Sequence, residues 1–359
     1  MALAGLLLAL LLGAQTAAAQ AAPTWLRTVR ETALWSGPTD PAEQFTILPP
    51  GSHVLPQDSR GGGRVLVYYP GDGQARLAGA AWVANTDLVP SGPPPWIADA
   101  DLSAPDAPRR VAYVAPPDVS APEVAVLDDT SGALLFGRGA HARLAPASTT
   151  KIVTAMVALD MAPTLDAHLP ITVDGWAMAA ADGSSIMGLS PGTGLSIRTL
   201  LFGLLLPSGN DAAEQLARGL GESRAQFIQA MNDKVAALGL RDTRFTNPSG
   251  LDAPSHYASA YDLAHLARAA MTDATFREIV SSPAYAAEGF ELRGHNPLLG
   301  VYPGTDGVKT GTTDQAGKAM VASVVRDGHR VFVVVMHSDD VLADCSALFD
   351  WAWATFRWE

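Results

Sequence analysis

The chain has 359 residues, of which 48% are apolar and 17% are charged. This composition suits one large or two smaller domains with a buried core, and it excludes an intrinsically disordered protein. The net charge of -12 argues against a nucleic-acid partner, because phosphate recognition needs basic patches that this sequence lacks.

Residues 1–22 predict an export signal. An apolar run from Leu6 to Leu12 is followed by the small residues 17–19, as in a cleaved signal peptide. No Lys or Arg precedes the run, so an uncleaved anchor is the alternative. We therefore expect an exported protein of the cell envelope. A single cysteine, Cys345, leaves no internal disulfide, so stability must come from the core, where Cys345 itself is expected to lie.

Residues 24–90 predict a small β-barrel. Short apolar runs alternate with turns rich in proline and glycine, and no helical periodicity is present. The strand-like runs are 45–48, 64–69 and 81–83. Their order resembles bacterial SH3-like domains. Because such modules often bind the cell wall in exported proteins, the resemblance implies a cell-wall ligand, and a spacer without any ligand is the alternative.

Residues 91–110 are rich in proline, alanine and aspartate, which predicts a stiffened linker. Residues 111–359 then mix strand-like and helix-like segments, which predicts a mixed α/β (α+β) domain. The expected elements are a hairpin over 123–136, helices at 151–159, 196–206 and 211–220, a strand pair at 319–325 and 330–336, and a closing helix at 344–357.

Ser148 and Lys151 form a Ser-x-x-Lys motif at the start of an apolar, helix-forming segment. Residues three apart share one face of a helix, with Cβ atoms about 5–6 Å apart. A neutral lysine at that distance can accept the proton of a serine nucleophile. Burial and a second ammonium, for which Lys309 is the candidate, would lower its pKa. A capping serine beside a solvated lysine is the alternative.

Two further motifs follow in order. Ser208 and Asn210 lie in Ser-Gly-Asn after an apolar run, where a hydroxyl can carry a proton to a leaving amine and an amide can hold the base. Lys309, Thr310 and Gly311 form a strand-like Lys-Thr-Gly. A strand with glycine here lets a peptide approach the backbone as an added strand.

The residues after this motif complete the candidate substrate site. The backbone N–H groups of Ser148 and Thr312 are candidates for an oxyanion hole. The charge of Lys309 and the hydroxyls of Thr310, Thr312 and Thr313 are candidates for binding a substrate carboxylate.

With their flanking residues, the three motifs resemble those of the low-molecular-mass serine D-alanyl-D-alanine carboxypeptidases, a family of penicillin-binding proteins. Further matching blocks lie at 247–252, 256–264 and 296–299. The resemblance implies a β-lactamase/transpeptidase-like fold and removal of the terminal D-alanine from peptidoglycan stem peptides. It also implies an acyl-enzyme on Ser148, β-lactams as covalent inhibitors, and neither a metal nor another cofactor.

One departure from the family concerns the substrate carboxylate. Members often carry an arginine shortly before the closing helix, whereas residues 338–344 are acidic and contain none. Carboxylate recognition is therefore expected to rest on Lys309 and the threonines.

Three alternatives to a carboxypeptidase stay open. A D,D-endopeptidase would use the same machinery on crosslinks. A β-lactamase is disfavoured, because we find no Glu-x-x-Leu-Asn segment to activate the deacylating water. A non-catalytic wall-binding or penicillin-sequestering protein would not need both lysines. His256 and His265 are expected to be structural, and the eight histidines contain no zinc-binding His-Glu-x-x-His motif.

Overall fold

A computed structural model describes residues 24–74, 76 and 78–359, so the predicted signal peptide lies outside the described residues. The chain forms two compact units. The smaller contains the described residues up to Tyr69 together with Gly79–Pro93, and the larger contains Pro70–Ala78 and Pro94–Glu359. Among the described helices, none has the length and apolar character that crossing a bilayer would require.

The smaller unit is a seven-stranded antiparallel sheet in the order β3-β2-β6-β5-β4-β1-β7. Side chains of β5 alternate between buried and half-buried, as expected for a strand with one face on a core. The strands are β1 (Trp25–Thr28), β2 (Thr32–Trp35), β3 (Gln44–Leu48), β4 (His53–Gly61), β5 (Arg64–Tyr69), β6 (Gly79–Ala84) and β7 (Leu88–Ser91).

The three predicted strands of this unit are confirmed as β3, β5 and β6. The edges of the sheet are β3 and β7, and no pairing among the described strands joins them. A closed barrel needs every edge paired, so the described sheet is not a closed barrel. The SH3-like assignment stays a prediction.

The segment 91–110 is more ordered than its composition predicts. It contains the short helix α1 (Pro95–Ala98) and the strand β8 (Arg109–Arg110), which pairs with β18 (Phe356–Arg357). Proline at the first helical position costs no hydrogen bond, so α1 can begin at Pro95. The predicted domain boundaries stay predictions.

The larger unit is built on a five-stranded antiparallel sheet in the order β10-β9-β17-β16-β15. The predicted hairpins are confirmed as β9–β10 and β16–β17. Because β15 lies at one edge, its outer side is open to a further strand or a ligand. The strands are β9 (Glu123–Asp128), β10 (Leu134–Arg138), β15 (Thr305–Thr313), β16 (Gly317–Arg326) and β17 (His329–Ser338).

Helices cover both faces of this sheet. The residues of β17 alternate, with Phe332 and Val334 in one buried cluster and Val333 and Val335 in the other. The helices are α2 (Lys151–Met161), α3 (Gly175–Asp182), α4 (Ile197–Leu205), α5 (Asn210–Gly219), α6 (Arg224–Ala237), α7 (Ala260–Ala270), α8 (Ala274–Val280) and α9 (Val341–Thr355). Two short antiparallel strand pairs complete the unit: β11 (His168–Pro170) with β12 (Gly194–Ser196), and the hairpin of β13 (Ala284–Ala287) with β14 (Phe290–Arg293).

The predicted helices at 151–159, 196–206 and 211–220 are confirmed as α2, α4 and α5. The closing helix α9 begins earlier than predicted, because the Asp340 carboxylate accepts hydrogen bonds from the N–H groups of Leu342 and Ala343. Cys345 lies on this helix and is fully buried, as expected for a core residue.

Candidate active site

Ser148 lies on a short 3₁₀ turn, Ala147–Thr150, that leads directly into α2. The prediction that it opens the helix is therefore confirmed to within one turn. Thr149 fixes the turn by donating from Oγ1 to the carbonyl oxygen of Pro146 at 2.6 Å. Ser148 remains partly exposed, so its hydroxyl is accessible to a substrate.

Lys151, at the first position of α2, is completely buried. Its Nζ lies 2.8 Å from Ser148 Oγ, 2.7 Å from Asn210 Oδ1 and 2.6 Å from the carbonyl oxygen of Ser249. The solvated lysine of the alternative interpretation is therefore wrong. The Asn210 and Ser249 oxygens can only accept hydrogen bonds, so a neutral amine donates to both and turns its lone pair toward the Ser148 hydroxyl.

The surroundings of Lys151 favour that neutral amine. Burial, and then the nearby Lys309 ammonium, hold the pKa of Lys151 well below its usual value, while the Asp211 carboxylate opposes the shift. Burial also lowers the pKa of Lys309 to about 7. Lys309 therefore occupies the place of the predicted second cation, with a partial charge at neutral pH.

Asn210, the first residue of α5, connects the lysine to a neighbouring loop. Its Nδ2 donates to Ser184 Oγ at 3.1 Å, and its backbone N–H donates to the carbonyl oxygen of Ser185. Ser208 is buried, with a positive φ of 64°. Its hydroxyl makes no hydrogen bond within the described part of the chain, and Ser208 is not among the residues that line the cavity beside Ser148.

Strand β15 carries the Lys-Thr-Gly motif and lies against the Ser148 turn. A Cβ atom at Gly311 would lie 2.9 Å from the backbone nitrogen of Ser148, so only glycine permits this approach. Lys309 is buried and donates from Nζ to the carbonyl oxygen of Thr310 at 2.8 Å. The structure thus brings the predicted nucleophile, the predicted base and the predicted substrate strand together.

Thr313 has a different environment from the one expected of a carboxylate ligand. Its hydroxyl donates to Asp252 Oδ1 at 2.7 Å and accepts from the backbone N–H of Ala316 at 3.1 Å. Its hydrogen is already committed, so Thr313 joins β15 to the loop that contains Asp252. Thr312, by contrast, is exposed toward the cleft.

The loop from Thr246 to His256 belongs to the site, although the sequence predicted no catalytic or binding role for its residues. Asn247 Oδ1 accepts from the backbone N–H groups of Ser249 and Gly250 and so shapes the turn that presents the Ser249 carbonyl to Lys151. The matching block at 247–252 was the sequence signal for this loop. The role of the Ser249 carbonyl could not be predicted, because every residue type has a backbone carbonyl.

His256 anchors this loop to the nucleophile turn. Its Nδ1 accepts from the Thr246 N–H at 2.9 Å, so Nε2 carries the hydrogen and donates to Thr150 Oγ1 at 3.0 Å. Burial lowers the pKa of His256 to about 4, which keeps the ring neutral. This supports the structural role expected for His256.

Asp211 is a second site residue that the motifs alone did not reveal. It is fully buried, and its carboxylate accepts from the backbone N–H groups of Met187, Gly188 and Leu189 at 2.9 Å each. It therefore holds the loop that carries Ser184 beside Asn210.

These elements surround a cavity of about 630 Å³. Its volume suits a short peptide or a β-lactam. It is lined by Ser148, Asp182, Gly183, Ser184, Ser185, Asn210, Ser249, Gly250, Leu251, Asp252, Thr312, Thr313 and Asp314.

Known relatives share the larger unit. D-alanyl-D-alanine carboxypeptidase DacB2 of Mycobacterium tuberculosis is 37% identical over 250 residues, which are 66% of this chain and 84% of that protein. DacF of Bacillus subtilis is 34% identical over 58% of this chain, and DacD of Escherichia coli is 36% identical over 62%. The matched region spans only 55% and 60% of those two proteins.

A crystal structure of a Streptomyces DD-transpeptidase matches with a TM-score of 0.64 and 32% identity. The match covers 67% of this chain and all of that one. The mixed α/β fold of the larger unit is therefore transpeptidase-like. The family model of D-alanyl-D-alanine carboxypeptidases matches residues 110–340. With this match and the shared fold, the chain belongs to the D-alanyl-D-alanine carboxypeptidase family of serine hydrolases.

Proposed function

We propose that this protein is an exported carboxypeptidase of the cell envelope that removes the terminal D-alanine from peptidoglycan stem peptides. One observation carries the proposal. Lys151 Nζ contacts the Ser148 hydroxyl and two pure acceptors, Asn210 Oδ1 and the Ser249 carbonyl oxygen. This is the geometry of a buried neutral amine that activates a serine nucleophile.

Acylation would begin when Lys151 takes the proton from Ser148 as Oγ attacks the carbonyl carbon between the two D-alanines. The backbone N–H groups of Ser148 and Thr312 would stabilise the oxyanion. Support comes from Gly311, which lets β15 lie against the Ser148 nitrogen. As the C–N bond breaks, the Lys151 proton would pass through the Ser208 hydroxyl to the amine of the departing D-alanine.

Deacylation would use the same residues in reverse. Water attacks the ester on Ser148, gives a proton to neutral Lys151, and Ser148 leaves with that proton. The products are free enzyme and a shortened peptide. A β-lactam would acylate Ser148 in the same way.

We assign the segment Lys309–Thr313 of β15 to the substrate-binding edge, with direct contacts to the substrate from Thr310, Gly311 and Thr312. In this proposal β15 receives the peptide along its open edge, by backbone pairing. The Lys309 side chain of β15 is buried and acts mainly through its charge on Lys151. Thr313 acts indirectly, by holding the strand against Asp252.

For residues 24–90 we propose an SH3-like unit that binds a cell-wall ligand. The antiparallel sheet of short strands supports the proposal. Its test is co-sedimentation of the whole protein with purified peptidoglycan, compared with a protein that lacks this unit. Equal sedimentation of both would assign the unit to a spacer.

The catalytic proposal is tested by intact-mass measurement after incubation with benzylpenicillin, together with D-alanine release from a stem pentapeptide. We expect one covalent adduct and D-alanine release from the parent protein, and neither from Ser148→Ala. Cleavage of a crosslinked dimer into two peptides, without D-alanine release from the pentapeptide, would indicate an endopeptidase. An adduct without any peptide cleavage would indicate a penicillin-sequestering protein.

A further inference from the structure

The proposed substrate, on which this inference rests, ends in a free carboxylate. A carboxylate in a cleft is best held by a charged partner beside hydroxyl groups. Lys309 is poorly placed for this task, because it is buried and its Nζ already donates to the Thr310 carbonyl oxygen. Burial also lowers its pKa to about 7, so its charge is only partial at neutral pH.

The two faces of β15 separate the candidate residues. In the ladder between β15 and β16, Lys309 is opposite Val321, whereas Thr310 is opposite Met320. Val321 belongs to the buried cluster that includes α2, and Met320 belongs to the cluster under α9. Side chains alternate along a strand, so Thr310 and Thr312 point to the face opposite Lys309.

A second ammonium lies on the face of the two threonines. Lys318 is the direct cross-strand partner of Thr312. Directly opposed residues of an antiparallel pair point to the same face, with Cβ atoms about 4.5–5.5 Å apart. Lys318 is exposed, and its four-carbon chain can extend past the Thr312 hydroxyl.

The local contacts leave the charge of Lys318 available. Its Nζ donates to the backbone carbonyl oxygen of Asp339 at 2.7 Å, which holds the side chain at the start of α9. Within the described residues it makes no ion pair with a carboxylate. The two arginines at the opposite end of the hairpin have other partners: Arg330 pairs with Asp306, and Arg326 bonds the Tyr302 hydroxyl.

We propose that the Lys318 ammonium, with the Thr310 and Thr312 hydroxyls, binds the C-terminal carboxylate of the substrate. The Lys318 side chain extends from β16 toward the threonines of β15. It takes the place of the arginine that family members often carry before the closing helix, since residues 338–344 of this chain contain no arginine. Lys318 is thus a specificity-determining residue that separates peptides with a free C-terminus from amidated ones.

The test compares Lys318→Met and Lys318→Arg with the parent protein on two pairs of ligands. The first pair is an acyl-D-Ala-D-Ala peptide with a free or an amidated C-terminus. The second is benzylpenicillin and its methyl ester, with Ser148 acylation followed by intact mass. Lys234→Met, which removes a surface ammonium paired with Asp160, is the matched control.

Loss of a charge-assisted hydrogen bond to a ligand corresponds to about a 10- to 100-fold loss in binding or in kcat/KM. We therefore expect Lys318→Met to lower kcat/KM for the free acid and acylation by benzylpenicillin by that factor. The amide and the ester should change less than threefold, and Lys318→Arg should restore most of the loss. An unchanged rate in Lys318→Met, or an equal loss for acid and neutral ligand, would overturn the assignment.

The two ligand pairs keep this inference separate from the proposed function. If the parent protein releases no D-alanine, the proposed carboxypeptidase activity fails by itself. The ratio of acylation by benzylpenicillin to acylation by its ester then still decides the role of Lys318.

Discussion

Lys151 Nζ and Ser148 Oγ lie 2.8 Å apart, with the amine fully buried and the hydroxyl partly open to the cleft. The pair has the hydrogen-bond distance that proton transfer requires. The two groups also differ in burial. The buried amine is kept from water, which disfavours its charged form, while the Ser148 hydroxyl stays accessible to a substrate.

Replacing Lys151 by methionine tests the base directly. General-base catalysis contributes about 10²–10⁴-fold, so acylation by benzylpenicillin should fall by that factor while the fold persists. Stopped-flow fluorescence or intact mass measures the rate, and circular dichroism checks the fold. A rate equal to that of the Lys234→Met control would contradict the assignment.

Replacing Lys309 by methionine should move the acid limb of the acylation profile. The Lys309 ammonium helps to lower the pKa of Lys151. Without it, Lys151 holds its proton to a higher pH, so the rise in rate with pH should begin later. The measurement is the acylation rate constant from pH 5 to 10. A profile that keeps its midpoint, with only a lower plateau, would show that Lys309 acts through the substrate alone.

Gly311→Ala should separate the substrate strand from the nucleophile. The new Cβ would lie 2.9 Å from the Ser148 nitrogen, so β15 or the turn must move. Displacements of about 1 Å can cost 10²-fold in rate, and we expect a loss of about 10- to 100-fold in acylation. Gly79→Ala is the control, since a Cβ there meets nothing within 4 Å. Equal rates in the two variants would contradict the close approach.

His256→Gln should reduce the loss of stability in acid. The folded pKa of about 4 lies below the usual 6.5, so the unfolded chain binds the proton more readily. The contribution of the His256 ring to the free energy of unfolding is therefore fully present above pH 6.5. It falls as the pH drops toward 4, by on the order of 3 kcal/mol. Glutamine keeps a donor and an acceptor but does not titrate.

Urea unfolding at pH 7 and pH 4.5 measures this effect. The variant should lose less stability between the two values than the parent does. Part of the loss should remain, because burial lowers the pKa of His265 to about 4 as well. If the variant and the parent lose the same free energy of unfolding between pH 7 and pH 4.5, the pKa of His256 is not lowered in the folded protein.

Local sequence was sufficient for much of the fold. The apolar alternation at 319–325 and 330–336 around Asp327-Gly328 predicted the hairpin β16–β17, and the helix-forming run after Ser148 predicted α2. Helix α9 was misplaced at its start, because the Asp340 cap is a weaker signal than an apolar run. No local pattern reported whether the strands at 24–90 close into a barrel, since closure depends on pairing between distant edges.

The Ser-x-x-Lys spacing by itself determined that Ser148 and Lys151 share one face within reach, because the separation of three residues is a property of the helix. Only the tertiary structure decided that this lysine is buried and has a lowered pKa, as the proposed role of a base requires. The Ser249 carbonyl and the His256 anchor come from one loop, and Asp211 and the neighbouring Lys309 come from two other parts of the chain. Their packing removes water from the amine. The residue type sets the ordinary pKa of a lysine, whereas the shift from that value depends on the groups packed around it.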